Sequence, residues 1–69
     1  DFIQVDLRDT EARLDQISVF DISGKMVIQE NNPTSQLIQI DVTALPVGQY
    51  TVLLRDGLLT YVSKFVKLN

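Results

Sequence analysis

The chain has no cysteine, no histidine and no tryptophan, and each absence closes off a chemistry. Without cysteine there is neither a disulfide nor a thiolate metal site, so a fold of this size must hold together by its apolar core alone. Without histidine the commonest general base and the commonest imidazole ligand are missing, which excludes Ser-His-Asp and Cys-His arrangements outright. Two tyrosines and three phenylalanines leave few rings for stacking on sugars. No stretch approaches the roughly 18–20 consecutive apolar residues that a membrane-spanning helix needs. Nor is there a basic-then-apolar opening of the kind a signal peptide shows. The start at Asp1 rather than Met leads to the expectation of a fragment of a longer polypeptide, with any signal sequence lying upstream.

What is present is ordinary for a folded domain. The chain is 69 residues long, 45% apolar and 22% charged, which allows one domain spanning residues 1–69. A domain this small buries only about 60% of the surface its unfolded chain exposes, so its stability margin is thin. Six basic against nine acidic residues give a net charge of −3. That balance argues against nucleic acid, whose phosphates require clustered Lys and Arg, and against an anionic membrane surface.

Apolar residues alternate along most of the chain. Ile3, Val5 and Leu7 share one face of a first strand, with Gln4 and Asp6 on the other. Gln16 to Ile22 is rich in β-branched and aromatic residues and reads as a second strand. Ser23-Gly24-Lys25 turns the chain into a third, Met26 to Ile28. Glu30 to Ser35 is a polar loop with a proline inside. Ile38, Ile40 and Val42 alternate in a fourth strand, and Thr43 to Gly48 interrupts it. Tyr50, Val52 and Leu54 share a face in a fifth. Arg55-Asp56-Gly57 is a hairpin turn signal leading to a last strand from Leu58 to about Val66. Only Asp9 to Gln16 carries reasonable helix formers, and it is too short to be stable alone. The predicted fold class is therefore all-β, an antiparallel β-sandwich or barrel of about six to seven short strands.

Candidate chemistry is sparse. Asp6, Asp9, Glu11 and Asp15 cluster near the first turn, while Asp21, Asp41 and Asp56 are scattered, and all read most simply as solvated strand-face and turn residues. A domain this small has little room for a deep substrate pocket of several hundred Å3. A calcium site would need converging oxygens, and Asp9-Thr10-Glu11 and Asn31-Asn32 supply oxygens without a recognised spacing. Asn32-Pro33-Thr34 is no glycosylation acceptor, because proline occupies its middle position. No catalytic, cofactor or metal residue is assigned, and the chain reads as a non-enzyme. Lys64 and Lys67 admit two readings: edge charges that deter aggregation, or a recognition feature of the terminal strand.

Four segments carry a resemblance. Leu45-Pro46-Val47-Gly48-Gln49-Tyr50-Thr51-Val52 resembles the Pro-x-Gly-x-Tyr strand opening of the type IX secretion C-terminal sorting domains. Ile40 to Leu45 is similar to that family's Ile-Asp-hydrophobic-Ser/Thr-x-Leu lead-in, and Ile17 to Val27 to its Val-x-Val-Tyr-Asp-x-x-Gly-Lys-x-Val hairpin. Lys64-Phe65-Val66-Lys67 matches its closing Lys-hydrophobic-Val-Lys. Each piece alone occurs widely, whereas four in order, spacing and distance from the end are specific, and the resemblance as a whole covers nearly everything from Phe2 to Asn69. Phe20 replaces the family's usual Tyr. The Asn-Pro motif that usually precedes the first strand is missing, so the extreme N-terminal part of the domain is expected to lie upstream of Asp1.

The resemblance implies an immunoglobulin-like sandwich at the end of a large exported protein of Bacteroidetes-type bacteria. Its implied function is a secretion signal that directs an upstream passenger across the outer membrane. Its implied partners are the type IX translocon, an outer-membrane shuttle protein and, in many members, a sortase that removes the domain and anchors the passenger. It implies passage through the periplasm to the cell surface or the extracellular space, with no cofactor, no nucleic acid and no membrane insertion. Gly24, Pro46, Gly48, Tyr50 and Gly57 are expected to determine the fold. Pro46 ends a strand by withholding a donor, Gly48 supplies the positive φ of a reversal, and Tyr50 buries its ring while its hydroxyl finds a partner. Lys64, Phe65, Val66 and Lys67 are the expected translocon-recognition residues, on a terminal strand suited to strand addition. An exposed edge there also leads to the expectation of a strand-swapped homodimer when the domain is isolated. The rival reading is a terminal immunoglobulin-like adhesion or carbohydrate-binding module.

Overall fold

The structure, a computed structural model, describes residues 1–9 and 13–68. Thr10 and Glu11 of the candidate calcium and acidic groups, and Asn69 at the end, lie outside the described residues. Six strands follow in chain order: β1 (Phe2–Asp6), β2 (Gln16–Asp21), β3 (Met26–Asn31), β4 (Leu37–Asp41), β5 (Gly48–Asp56) and β6 (Leu59–Lys67). They form two antiparallel sheets, one of β1 and β4 and one in the order β3-β2-β5-β6. The fold is all-β, as predicted, with the two sheets sharing one core in the manner of an immunoglobulin-like sandwich. Its shortest dimension, 17 Å, suits two sheets about 10 Å apart with their outward side chains.

The alternation read from the sequence is the alternation that fills the core. Ile38, Ile40 and Val42 descend from β4 and the residue after it, and Ile17 and Val19 rise from β2 with Tyr50 and Val52 from β5. Leu14 closes one end, and Ile3, Val5, Leu7, Leu45, Leu54 and Phe65 pack around the margin half-buried. Ile17 and Val19 are fully buried because β2 is flanked on both sides by partners and covered by the smaller sheet. β6 differs. It lies outermost, with β5 on one side only, and just two of its residues, Phe65 and Lys67, escape full exposure.

Turn chemistry sets the hairpins. One Asp21 oxygen, Oδ1, accepts from the Ser23 amide (3.0 Å), the Ser23 hydroxyl (2.6 Å) and the Lys25 amide (3.0 Å). The Gly24 amide donates to the Asp21 carbonyl (3.0 Å), and Gly24 takes φ +89°, a left-handed geometry that only glycine adopts without strain. A register shift between Val19 and Phe20 then inserts one extra residue into β3. The β5–β6 reversal is a two-residue turn, Gly57-Leu58, closed by the pair Asp56 and Leu59, with Gly57 at φ +57° as the first central residue.

Three local expectations change. β3 continues through Glu30 and Asn31, because Gln16 and Ile17 of β2 extend the ladder opposite them. The loop therefore starts at Asn32, whose φ of +51° ends the strand. Gly48 has the expected positive φ, +158°, a value that side chains rarely adopt, but it begins β5 and lies after the reversal. The reversal falls earlier, where the Leu45 amide bonds the Val42 carbonyl (3.0 Å) and Asp41 Oδ1 accepts from the Thr43 amide (2.9 Å).

Ile17 is 0% exposed, so Ile17→Ala leaves a cavity that the four-stranded sheet cannot collapse around. The expected cost is about 2–5 kcal/mol, a large part of the margin of so small a domain. Urea denaturation followed by circular dichroism measures it, and an unchanged midpoint would place Ile17 outside the core.

Candidate functional site

β6 brings the four predicted recognition residues together on one strand and then divides them between its faces. A two-residue turn makes its closing pair, Asp56 and Leu59, exchange hydrogen bonds, and the exchange recurs at every second residue along an antiparallel ladder. Leu59, Tyr61, Ser63, Phe65 and Lys67 therefore direct their backbone groups to β5. Thr60, Val62, Lys64 and Val66 direct theirs to the free edge. The same alternation turns Phe65 and Lys67 toward the core, opposite Tyr50 and Gly48, and Lys64 and Val66 away from it.

Phe65 stacks on Tyr50, with ring centroids 5.1 Å apart and planes inclined by 17°. The buried Tyr50 donates its hydroxyl to the Pro46 carbonyl (2.5 Å), which satisfies the polar end of an otherwise apolar ring. Lys67 reaches further in. Its Nζ donates to the carbonyls of Val42 (2.7 Å), Thr43 (2.9 Å) and Leu45 (2.6 Å), using all the protons of the ammonium. Lys64 is exposed, and its ammonium has no hydrogen bond or ion pair among the described residues. Val66 is exposed at 58%, and Leu58, Leu59, Tyr61, Val62 and Leu68 extend an apolar surface along the same hairpin. Sequence reasoning treated Lys64 and Lys67 alike. The geometry separates them, giving Lys67 a fixed internal partner and leaving Lys64 to solvent.

Beside this strand the sandwich is open. Ile3 and Val5 of the small sheet, with Leu7 just after β1, face Leu54, Ser63 and Phe65 across a groove of about 430 Å3. A larger depression, about 780 Å3, lies at the end of the sandwich among Leu7, Arg13, Leu14 and the 32–36 loop. Both are open depressions and not enclosed pockets, formed because six short strands leave the sheet ends uncovered. No carboxylate lines that larger depression among the described residues.

The carboxylates have local work instead. Asp6 takes the Arg8 guanidinium in a fork, Nε to Oδ1 (3.0 Å) and Nη2 to Oδ2 (2.8 Å), and accepts the Arg8 amide as well. The side-chain bonds to Arg8 dominate in holding the Asp6 carboxyl down, at about 2 against its ordinary 3.8. Asp21 is held below its ordinary value first by the Ser23 hydroxyl and then by the Lys25 amide. Asp41 is lowered chiefly by Thr43. Asp15 accepts the Gly57 amide at 2.6 Å, tying the β1–β2 connection to the β5–β6 turn. Asn31 Oδ1 accepts from Gln16. Among the described residues no three acidic side chains converge as a metal site would require.

The described residues form a six-stranded antiparallel sandwich bordered by an exposed edge strand. The particular family follows from the chain as a whole: residues 1–68 match the secretion system C-terminal sorting domain, and the chain belongs to that family, the sorting signals of type IX secretion. The family is one of address domains and not of enzymes, and membership implies engagement of the type IX machinery and export toward the cell surface or extracellular space. Comparison with curated proteins and with solved structures gave no match.

The lowered carboxyls set an acid dependence. A carboxyl whose folded value lies below its unfolded one contributes stability above the unfolded value, and that contribution disappears as pH falls through the folded one. Carbonyl-detected NMR titration should find Asp6 with a midpoint about 2 and Asp21 and Asp41 below 3.8. The unfolding midpoint should stay level above that ordinary value and fall steadily below it. Arg8→Ala should return the Asp6 midpoint toward 3.8 and leave that of Asp21 in place.

Proposed function

We propose that the domain directs an upstream passenger across the outer membrane by presenting β6 to the type IX translocon, passing through the periplasm on the way. The observation that carries this reading is the terminal edge strand. It is nine residues long, exposed at all but two of them, and its outer side bears Lys64 and Val66. A strand added along that edge would pair with the backbone of Thr60, Val62, Lys64 and Val66, and a partner carboxylate opposite Lys64 would set its register. Phe65 and Lys67 support the strand from beneath. Gly24, Pro46, Tyr50 and Gly57 belong to the scaffold that positions it, with Gly48 opening β5. In this reading a shuttle protein and a sortase act after translocation, the sortase removing the domain and anchoring the passenger. The same edge is where isolated copies would pair at high concentration.

The test is a fusion of residues 1–69, with its native upstream linker, to a periplasmic fluorescent reporter in a type IX-competent host. Reporter should reach the surface or medium with the intact domain, and remain in the periplasm when residues 58–69 are deleted or the translocon is disabled. Lys64→Glu should reduce export while shifting the unfolding free energy by no more than about 0.5 kcal/mol, as expected of an exposed surface change. Periplasmic retention of the intact, folded fusion would overturn the sorting reading and leave the adhesion or carbohydrate-binding module as the better one.

A further inference from the structure

β6 is held by a single neighbour, β5, through a nine-pair backbone ladder, and its side chains anchor it at few points. Along most of its length the ladder is its main attachment, since its side chains from Leu59 to Lys64 are exposed and none is buried. Near its end two attachments occur together. Phe65 stacks on Tyr50, and the Lys67 ammonium gathers the carbonyls of Val42, Thr43 and Leu45. The attachments are connected. The chain that offers its carbonyls to Lys67 runs directly on to Pro46, whose own carbonyl accepts the Tyr50 hydroxyl, and Tyr50 carries the Phe65 ring. The lead-in, the Pro46-Val47-Gly48-Gln49-Tyr50 segment and the closing Lys64-Phe65-Val66-Lys67 segment thus meet in one closed circuit. Beneath it, β2 has both neighbours and fully buried side chains.

We propose that Lys67 is a positioning residue that latches the terminal strand, and that β6 docks and undocks as a unit of its own while the β1–β5 sandwich stays folded. Local opening follows the distribution of buried contacts, so a strand with a solvated ladder and two terminal attachments opens at lower cost than a strand inside the core. The latch acts on export through the strand that it holds. The ammonium of Lys67 is spent on internal carbonyls, so it is the docked edge, with Lys64 on its outer side, that the machinery reads. This deepens the sorting function proposed above and rests on it, whereas the docking behaviour itself is a property of the isolated chain.

The experiment compares Lys67→Met, Lys67→Arg and Tyr50→Phe in the full chain, by native-state hydrogen exchange and by the reporter fusion. Lys67→Met keeps most of the side chain's length and removes its donors. Tyr50→Phe breaks the same circuit from a residue that is only 5% exposed, which a partner cannot touch. Exchange of the β6 amides that face β5, such as those of Ser63 and Phe65, should accelerate about tenfold or more in Lys67→Met, which loses charged hydrogen bonds, and about threefold or more in Tyr50→Phe, which loses a neutral one. Exchange in β2 should stay unchanged, and export should fall in step with the opening of β6. Lys67→Arg, which retains donors, should restore part of both readouts. Wild-type β6 and β2 amides exchanging together at the global rate would overturn the separate unit. Lys67→Met that lowers export without loosening β6 would overturn the latch and make Lys67 a direct contact. If Lys67→Met does not fold, Tyr50→Phe and Lys67→Arg test the same circuit. A β6 that opens as described in a domain whose fusion is never exported would sink the sorting reading and leave the latch standing.

Discussion

Tyr50 stands where the two halves of the motif pattern meet. Its ring is buried in the shared core, its hydroxyl is held by the Pro46 carbonyl, and its outer flank receives Phe65. Burying that ring is favourable only if the hydroxyl finds an acceptor, because an unsatisfied polar group in an apolar setting costs about 1–3 kcal/mol. The position of Pro46 is thus tied to the position of β5. The bend from Val42 to Leu45 then lies within reach of Lys67. One constraint, the satisfaction of a buried phenol, carries through to where the last strand ends.

The two sheets have unequal tasks. β2 and β5 form the middle of the larger sheet and, with β4, supply nearly all of the fully buried side chains. β1 and β6 lie at the margins and leave a groove open between them. A stable centre with exposed margins suits a domain that must survive transport and still offer a surface to machinery. On the proposed reading, Lys64 would also confine the pairing of copies along that edge to high concentration, since a charge on an edge strand discourages aggregation. The two readings of Lys64 are compatible: a charge that repels other copies can also select a partner of opposite sign.

Charge elsewhere is spent locally. Asp6, Asp15, Asp21 and Asp41 each bond groups at a turn or connection, and no catalytic pair is assembled among the described residues. The pattern Asp21-x-Ser23-Gly24-Lys25 could have been read as a carboxylate-held turn, since Asp side chains bond backbone two residues on. Asp15, which bonds Gly57 across the molecule, left no such local signal.

The order and faces of the strands were written in the sequence, because period-two alternation states which side of each strand is buried. Ile38, Ile40, Val42, Tyr50 and Val52 all fall on the face that was expected. The Gly57 turn was legible for the same reason, as a local backbone requirement. The pairing of strands, and so the exposure of each, was decided only by the tertiary structure. The lysines of the last strand suggested an exposed edge, but only the structure showed that β5 covers its other side. The difference between Lys64 and Lys67 had the same origin. Both are lysines on a terminal strand, and only the approach of the Val42–Leu45 carbonyls, brought near by the chain's return through β4, turns one into a latch and leaves the other facing water.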